Sequence, residues 1–286
     1  MIPVNEPCQP GPQLRNWKLT LAYDGTDFSG WQVQPGERTV QGELQAALGR
    51  VTGEAPLPQG SGRTDAGVHA LGQVASFALA APIPPGNLLH AVNRTLPDSI
   101  RIVEARIAPD AFHARHSAVA KTYEYRVFEE RPEPGPAVMC PPFLARYVYA
   151  LSWPLDLDAL QAAAGHFVGE HDFTSFAATD PDLASRRADE GEQRDPATAI
   201  RTVFSSHWER RETDAGSTLV YRVRGSGFLH HMVRNLVGTM LDAGRGYRRA
   251  GEIPDMLAAR ARSAAGPTAP ARGLFLHSVE YNGADT

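Results

Sequence analysis

The chain has 286 residues, of which 42% are hydrophobic, enough for a sizeable core in one large or two smaller domains. Its net charge of −4 gives no whole-chain indication of nucleic-acid binding, and the two cysteines, Cys8 and Cys140, suggest neither a disulfide framework nor a zinc site. No apolar run is long enough to span a membrane and the first residues lack a signal-peptide pattern, so we expect a soluble, cytoplasmic protein.

The first half of the chain predicts a β-α-β-α-β order. Residues 1–15 contain four prolines and no periodicity, and are expected to form a disordered tail. The elements expected after it are a strand over 17–23, a helix that begins after Thr39, a strand over 72–79, a helix over 87–96 and a strand that begins at Ile100.

The second half repeats the strand–helix–strand plan. Its expected elements are a strand over 122–128, a helix over 156–169, paired strands over 201–208 and 217–224, a helix over 229–243 and a closing strand over 273–281. Residues 179–196 are charged and nearly free of large apolar side chains, which predicts a mobile insertion. We therefore predict an α+β fold in which two similar ferredoxin-like halves, 16–111 and 112–286, share a mainly antiparallel mixed sheet flanked by helices.

One stretch, GRTDAGVHA at 62–70, lies between two apolar runs and contributes little to a core. Its two glycines allow a tight turn that presents Asp65 at the tip. A carboxylate on a loop that leads into a core strand is a common position for a catalytic group. The same residues also fit an ordinary turn with Arg63 as the surface ion-pair partner of Asp65, so the loop alone leaves both interpretations open.

The helix expected over 229–243 carries Arg234 at the edge of its apolar arc. An arginine in that position either extends to water or is held by a carboxylate. A pair between Arg234 and Asp65 would keep the carboxylate ionised, which a nucleophile or a general base requires.

His230 and His231 begin the same predicted helix. Adjacent helical residues point about 100° apart, and no acidic residue follows either histidine at i+3 or i+4. The spacing therefore disfavours a metal site, and we expect the two histidines to contact backbone, phosphate or an aromatic ring.

Aromatic and basic residues occur together ahead of the strand predicted over 122–128. Tyr123 can belong to the core or can stack on a nucleobase at the mouth of a site. The preceding segment has the composition of an RNA-contacting loop, with Phe112, His113, Ala114, Arg115 and His116 in succession.

Five separated segments carry a distinctive pattern. They are FSGWQVQ at 28–34 with TVQ at 39–41, GRTDAGVHA at 62–70, FHARHSAVAKTYEY at 112–125, GSGFLHHMVRNLVG at 225–238 and GLFLHSVEY at 273–281. In order and spacing these segments resemble the tRNA pseudouridine synthase A family from about residue 16 to the end of the chain. GRTDAGVH together with HHMVRN is a specific signature of the family that the chain resembles.

The resemblance implies roles for individual residues. Asp65 would be the catalytic aspartate, Tyr123 the aromatic residue stacked on the target uracil, and Arg234 the arginine paired with the aspartate. Substrate contacts would come from Arg63, the segment 112–116, Arg201, His230 and His231.

The resemblance also implies an activity and its partners. Uridine at positions 38, 39 and 40 of the tRNA anticodon arm would be isomerised to pseudouridine in a cleft between the two halves, without a metal or a redox cofactor. The enzyme would act as a homodimer, with one tRNA lying across both subunits.

Two functions from other classes remain open. A catalytically silent tRNA-binding protein or folding helper could use the same scaffold. A carboxylate-dependent hydrolase such as a glycosidase would need a second acid about 5–10 Å from Asp65, whereas the residues flanking Asp65 offer an arginine.

Overall fold

The computed structural model describes residues 14–131, 135–179 and 199–283. The predicted disordered tail lies outside these ranges except for its last two residues, and Arg15 begins the first strand instead of belonging to a tail. The predicted insertion 179–196 also lies outside the described residues, except for Thr179.

The strands and helices alternate along the chain. In order they are β1 (Arg15–Tyr23), α1 (Val40–Thr52), β2 (Gln59–Gly60), β3 (His69–Leu79), α2 (Pro85–Asn93), β4 (Ile100–Ile107), β5 (Ala118–Glu129), β6 (Tyr149–Leu151), α3 (Leu157–Gly165), β7 (Gly169–Asp172), β8 (Ile200–Thr213), β9 (Gly216–Gly225), α4 (Met232–Gly244), α5 (Ile253–Ala259) and β10 (Leu274–Tyr281).

All of these strands belong to one sheet. Its main path runs β4-β1-β3-β10-β5-β9-β8-β7, with β2 paired to β3 and β6 paired to β5. Pairing is antiparallel except between β10 and β3 and between β5 and β6. The last strand of the chain therefore lies in the middle of the sheet, between strands of the first and second halves. The predicted α+β class with a mainly antiparallel sheet is confirmed.

The core forms where the helices cover the sheet. Alternate residues of β1, including Leu19 and Leu21, belong to the same buried cluster as Leu44 of α1, Leu160 of α3 and Leu236 of α4. Fully burying a leucine of this kind contributes about 1.5–3 kcal/mol. The period of two in the strands and 3.6 in the helices thus directs one face of each element into a common core.

Several helix boundaries differ from those expected. Helix α4 begins at Met232 instead of residue 229, because His231 has a left-handed backbone (φ 58°, ψ 2°) that cannot continue a right-handed helix. Helix α3 ends at Gly165, four residues early, and β7 begins at Gly169, whose φ is +114°. Within the described ranges, none of the helices combines the length and apolar composition needed to cross a bilayer.

Candidate active site

The loop that carries Asp65 connects β2 to β3 and is fixed by its backbone. The Thr64 carbonyl accepts a hydrogen bond from the Trp31 N–H at 3.0 Å, and the Asp65 carbonyl accepts one from the Val68 N–H at 3.1 Å. A Cβ added at Gly25 would lie 1.9 Å from the Val68 carbonyl oxygen. Glycine is therefore required at position 25, where the chain that follows β1 approaches the backbone of this loop closely.

Side chains from two strands also hold this loop. The hydroxyls of Tyr23 on β1 and Thr64 share a hydrogen bond of 2.8 Å. Burial raises the pKa of Tyr23 to about 12, so its phenol remains neutral. Lys121 on β5 donates from Nζ to the Ser61 carbonyl at 2.6 Å. The position of the loop is thus set by parts of the chain on both sides of it.

The carboxylate of Asp65 contacts Arg234, as the sequence predicted. Arg234 donates from Nη1 to Asp65 Oδ2 at 3.0 Å and from Nε to the Ala269 carbonyl at 2.8 Å. The Ala269 N–H in turn donates to the Arg234 carbonyl at 3.0 Å. The planar guanidinium is thereby held at two points, which fixes its orientation toward the carboxylate.

His230 and His231 also approach Asp65. Their Nε2 atoms lie 3.6 Å from Oδ1 and 3.3 Å from Oδ2 respectively, and their ring centroids are 3.9 Å apart. Burial lowers the pKa of His231, against the opposing effect of the Asp65 charge. The expectation that helical spacing separates these histidines from each other and from an acid is wrong, because both residues precede α4 and the acid comes from a distant loop.

A pocket of about 490 Å³ opens above the Asp65 carboxylate. Its walls include two arginines and four histidines named from the sequence, namely Arg63, Arg115, His113, His116, His230 and His231. Asp65 is the sole carboxylate among the described residues that line it. The pocket therefore combines one acid with a basic rim, which suits an anionic ligand such as a nucleic-acid backbone.

Tyr123 lies in the same pocket and is 8% exposed. Its ring meets Phe228 edge to face, with centroids 5.1 Å apart and an interplanar angle of 80°. Burial is the largest cause of the strongly raised pKa of Tyr123, so the phenol stays protonated. A flat aromatic ring held beside the carboxylate offers a surface on which a planar base can stack.

Three residues that the sequence assigned to substrate binding do not line this pocket. Phe112 and Ala114 are buried in a second, smaller core, where the Phe112 ring packs 5.0 Å from that of Tyr281. Direct contact of these two side chains with RNA is therefore not supported, and they instead anchor the segment that presents His113, Arg115 and His116. Arg201 lies on β8, partly buried and outside the pocket lining.

Lys121 and Phe228 lie in segments that carry the resemblance, but neither was named as a candidate site residue. Both line the pocket. Lys121 stands two residues before Tyr123 on β5, and strand periodicity puts residues i and i+2 on one face, so a signal was present. Phe228 lies two residues before His230 inside the segment GSGFLHHMVRNLVG, but a phenylalanine by itself is as typical of a core as of a site.

Comparison with known proteins agrees with this geometry. The family model described as tRNA pseudouridine synthase matches residues 20–117 and 163–282. A protein of Solibacter usitatus named tRNA pseudouridine synthase A is 50% identical over 268 residues, covering 94% of this chain and 100% of its own. Proteins of the same name from Moorella thermoacetica and Bacillus subtilis are 44% and 42% identical, each covering at least 92% of this chain and 98% of their own. The chain belongs to the tRNA pseudouridine synthase family.

Proposed function

We propose that this protein isomerises uridine to pseudouridine at positions 38, 39 and 40 of the tRNA anticodon stem-loop. One observation carries the proposal: the carboxylate of Asp65 is held by Arg234 inside a basic pocket that also contains the ring of Tyr123. The family and the names of the similar proteins support the same conclusion.

The reaction breaks the C1′–N1 glycosidic bond and forms a C1′–C5 bond. The base gains a proton at N1 and loses one from C5, so atoms and electrons balance without an oxidant or a reductant. Asp65 acts on the substrate, either as a nucleophile at the sugar or base or as a base that removes a sugar proton. Arg234 positions this carboxylate through its fixed guanidinium.

The target uridine must leave the RNA stack to reach Asp65. Flipping a base costs a few kcal/mol in lost stacking and pairing, and a stack on Tyr123 offsets part of that cost. The arginines at 63 and 115 and the histidines at 113 and 116 contact the RNA around the flipped base, with Arg201 farther along the same path. The three arginines supply positive charge along this path, although the whole chain carries a net charge of −4.

The proposal also covers the division of the chain into two halves and the formation of a homodimer. The ferredoxin-like halves 16–111 and 112–286 contribute Asp65 from the first and Tyr123 and Arg234 from the second, so catalysis takes place in the cleft between them. Two subunits in the cytoplasm pool their basic surfaces and bind one tRNA together. Light scattering coupled to gel filtration should report a dimer, and a monomer at assay concentration would contradict the assembly.

The decisive experiment maps pseudouridine by nucleotide on unmodified tRNA transcripts. Wild type and Asp98→Asn, a change at a fully exposed carboxylate, should modify the anticodon stem-loop. Asp65→Asn should bind the same tRNA without modifying it. Binding without modification by every variant would instead indicate the silent RNA-binding protein. The hydrolase is disfavoured because the described pocket lining offers no second carboxylate.

A further inference from the structure

The three groups around the pocket floor have the spacing of a metal site. One oxygen of Asp65 and one nitrogen from each of His230 and His231 lie within 4.8 Å of one another. The nitrogen–oxygen separations are 3.6 Å for His230 and 3.3 Å for His231. A tetrahedral Zn²⁺ with bonds of about 2.0–2.2 Å requires neighbouring ligand atoms about 3.3–3.6 Å apart. Each nitrogen–oxygen separation thus matches one edge of such a tetrahedron, from His230 to Oδ1 and from His231 to Oδ2 of the same carboxylate.

The orientation of His230 is a second, independent indication. Its Nδ1 lies 3.1 Å from the Thr179 carbonyl, which can only accept a hydrogen bond, so Nδ1 carries a proton. In the neutral ring the Nε2 lone pair then faces Asp65 Oδ1, another acceptor, and a cation between them would satisfy both. Metal-binding histidines commonly donate their other N–H to a backbone carbonyl in this way.

We propose that Asp65, His230 and His231 bind a divalent transition metal, Zn²⁺ in the first instance, and that the bound metal inhibits the enzyme. Two imidazole nitrogens and one carboxylate oxygen favour Zn²⁺ and its neighbours in the transition series over Mg²⁺, which prefers oxygen ligands. All three residues line the pocket, so a water molecule could serve as the fourth ligand. Inhibition rests on the proposed function, because a metal-bound Asp65 cannot react with uridine, whereas binding itself does not.

The contact with Arg234 makes this an inhibitory site instead of a resident cofactor site. Its guanidinium lies 3.0 Å from the same Oδ2 that His231 approaches, so its positive charge repels a metal ion there. Each carboxylate oxygen has two lone pairs and can still accept both groups. The metal therefore binds reversibly, and a chelator should remove it without unfolding the protein.

Binding can be tested without tRNA, on a Cys8→Ser/Cys140→Ser background that removes the thiols. Co²⁺ should produce the visible absorption of a tetrahedral complex, and calorimetry should detect one Zn²⁺ per chain. We expect His230→Gln and His231→Gln each to lower Zn²⁺ affinity by more than the roughly 10- to 100-fold that loss of an outer-shell partner costs. Circular dichroism and thermal melting establish that the variants are folded.

The matched control is His113→Asn/His116→Asn, which removes the stacked histidine pair, 4.2 Å between centroids, from the same pocket. This control should bind Zn²⁺ like the parent. Loss of binding in the control with retention in the His230 and His231 variants would overturn the proposal, as would the absence of a Co²⁺ spectrum in the parent.

Inhibition is tested separately, by following pseudouridine formation with increasing Zn²⁺ at constant Mg²⁺. Wild type should lose activity and regain it with EDTA, and any residual activity of the His230 and His231 variants should resist Zn²⁺. Stoichiometric binding without inhibition would refute the inhibitory role alone. A protein that binds Zn²⁺ but never forms pseudouridine would refute the proposed function and leave the metal site standing.

Discussion

Arg234 Nη1 lies 3.0 Å from Asp65 Oδ2, although 169 residues separate the two in the sequence. The contact joins the loop before β3 to the first turn of α4. Because Arg234 Nε also donates to the Ala269 carbonyl, the guanidinium cannot rotate freely, and it sets the position of the carboxylate. The orientation of the Asp65 carboxylate therefore depends on the segment packed against α4.

Arg234→Lys should lower kcat about 100-fold with little change in KM, because misplacement of a reacting group by about 1 Å has an effect of that size. A lysine ammonium is a single point charge and cannot reproduce the fixed two-point contact with Asp65 and Ala269. Single-turnover kinetics with tRNA would measure the effect. Arg249→Lys, at a side chain that is 90% exposed, is the control and should behave as wild type. A normal kcat for Arg234→Lys would contradict the positioning role.

Tyr123 should contribute its ring and not its hydroxyl. Tyr123→Phe keeps the stacking surface and should retain most activity. Tyr123→Leu keeps apolar volume but removes the aromatic face, and should weaken tRNA turnover by the roughly 1–3 kcal/mol of a base–aromatic stack, or about 5- to 150-fold in kcat/KM. Steady-state assays of the two variants test this. Equal activity of the Phe and Leu variants would show that stacking is not the role of the residue.

Gly25→Ala should disturb the loop that carries Asp65, because the new Cβ would lie 1.9 Å from the Val68 carbonyl oxygen. Overpacking of this kind costs about 1–3 kcal/mol in the free energy of unfolding. The matched control is Gly86→Ala in α2, where no atom lies within 4 Å of the added Cβ. That substitution should stabilise the protein by up to about 1 kcal/mol. Urea unfolding of both variants measures their free energies of unfolding. Similar values for the two would contradict the steric role of Gly25.

His69 should make stability fall on acidification. Burial lowers its pKa from the ordinary value of 6.5, against the opposing charge of Asp24. Its Nδ1 accepts from the Gly25 N–H and its Nε2 lies 3.0 and 3.1 Å from the carbonyls of Arg146 and Arg272. The native state therefore favours the neutral ring, whereas the unfolded chain takes up a proton near its ordinary pKa.

The direction of this pH dependence follows from the linkage between proton binding and folding. Where the unfolded state binds more protons, stability rises with pH. The contribution of His69 is thus complete above pH 6.5 and is lost as the pH falls below that value toward the lowered native pKa. Melting curves from about pH 7.5 to 5 should show a larger loss in Tm for wild type than for His69→Gln, which has no titrating group at this position. Equal losses in Tm for the two proteins would indicate that other titrating groups dominate the pH dependence of stability.

Most of the fold could be predicted because its elements have clear periodicity. The helix after Thr39 was expected from apolar spacing and begins at Val40, with the Thr39 side chain accepting from the Gly42 N–H. The paired strands expected over 201–208 and 217–224 exist as β8 and β9. The short strands β2, β6 and β7 were not predicted, since two to four residues carry no measurable alternation.

The motifs named residues of the candidate site but did not show which of their side chains face the pocket. Asp65 and Arg234 were named from such motifs, and their contact is present. Phe112 and Ala114 were assigned to RNA because their segment has the composition of an RNA-contacting loop, but composition does not show which side chains of a segment face inward. The second core that buries them is formed partly by Val74 and Tyr281, from β3 and β10.

The sequence by itself determined the family and the α+β class, and it named Asp65, Arg234 and Tyr123 as candidate site residues. These follow from local periodicity and short motifs, which depend on residues near one another in the chain. Only the tertiary structure brought His230 and His231 to Asp65, because that approach depends on the left-handed backbone at His231 and on where α4 packs. Distances between remote segments are set by the packing of the whole core, which no local pattern encodes.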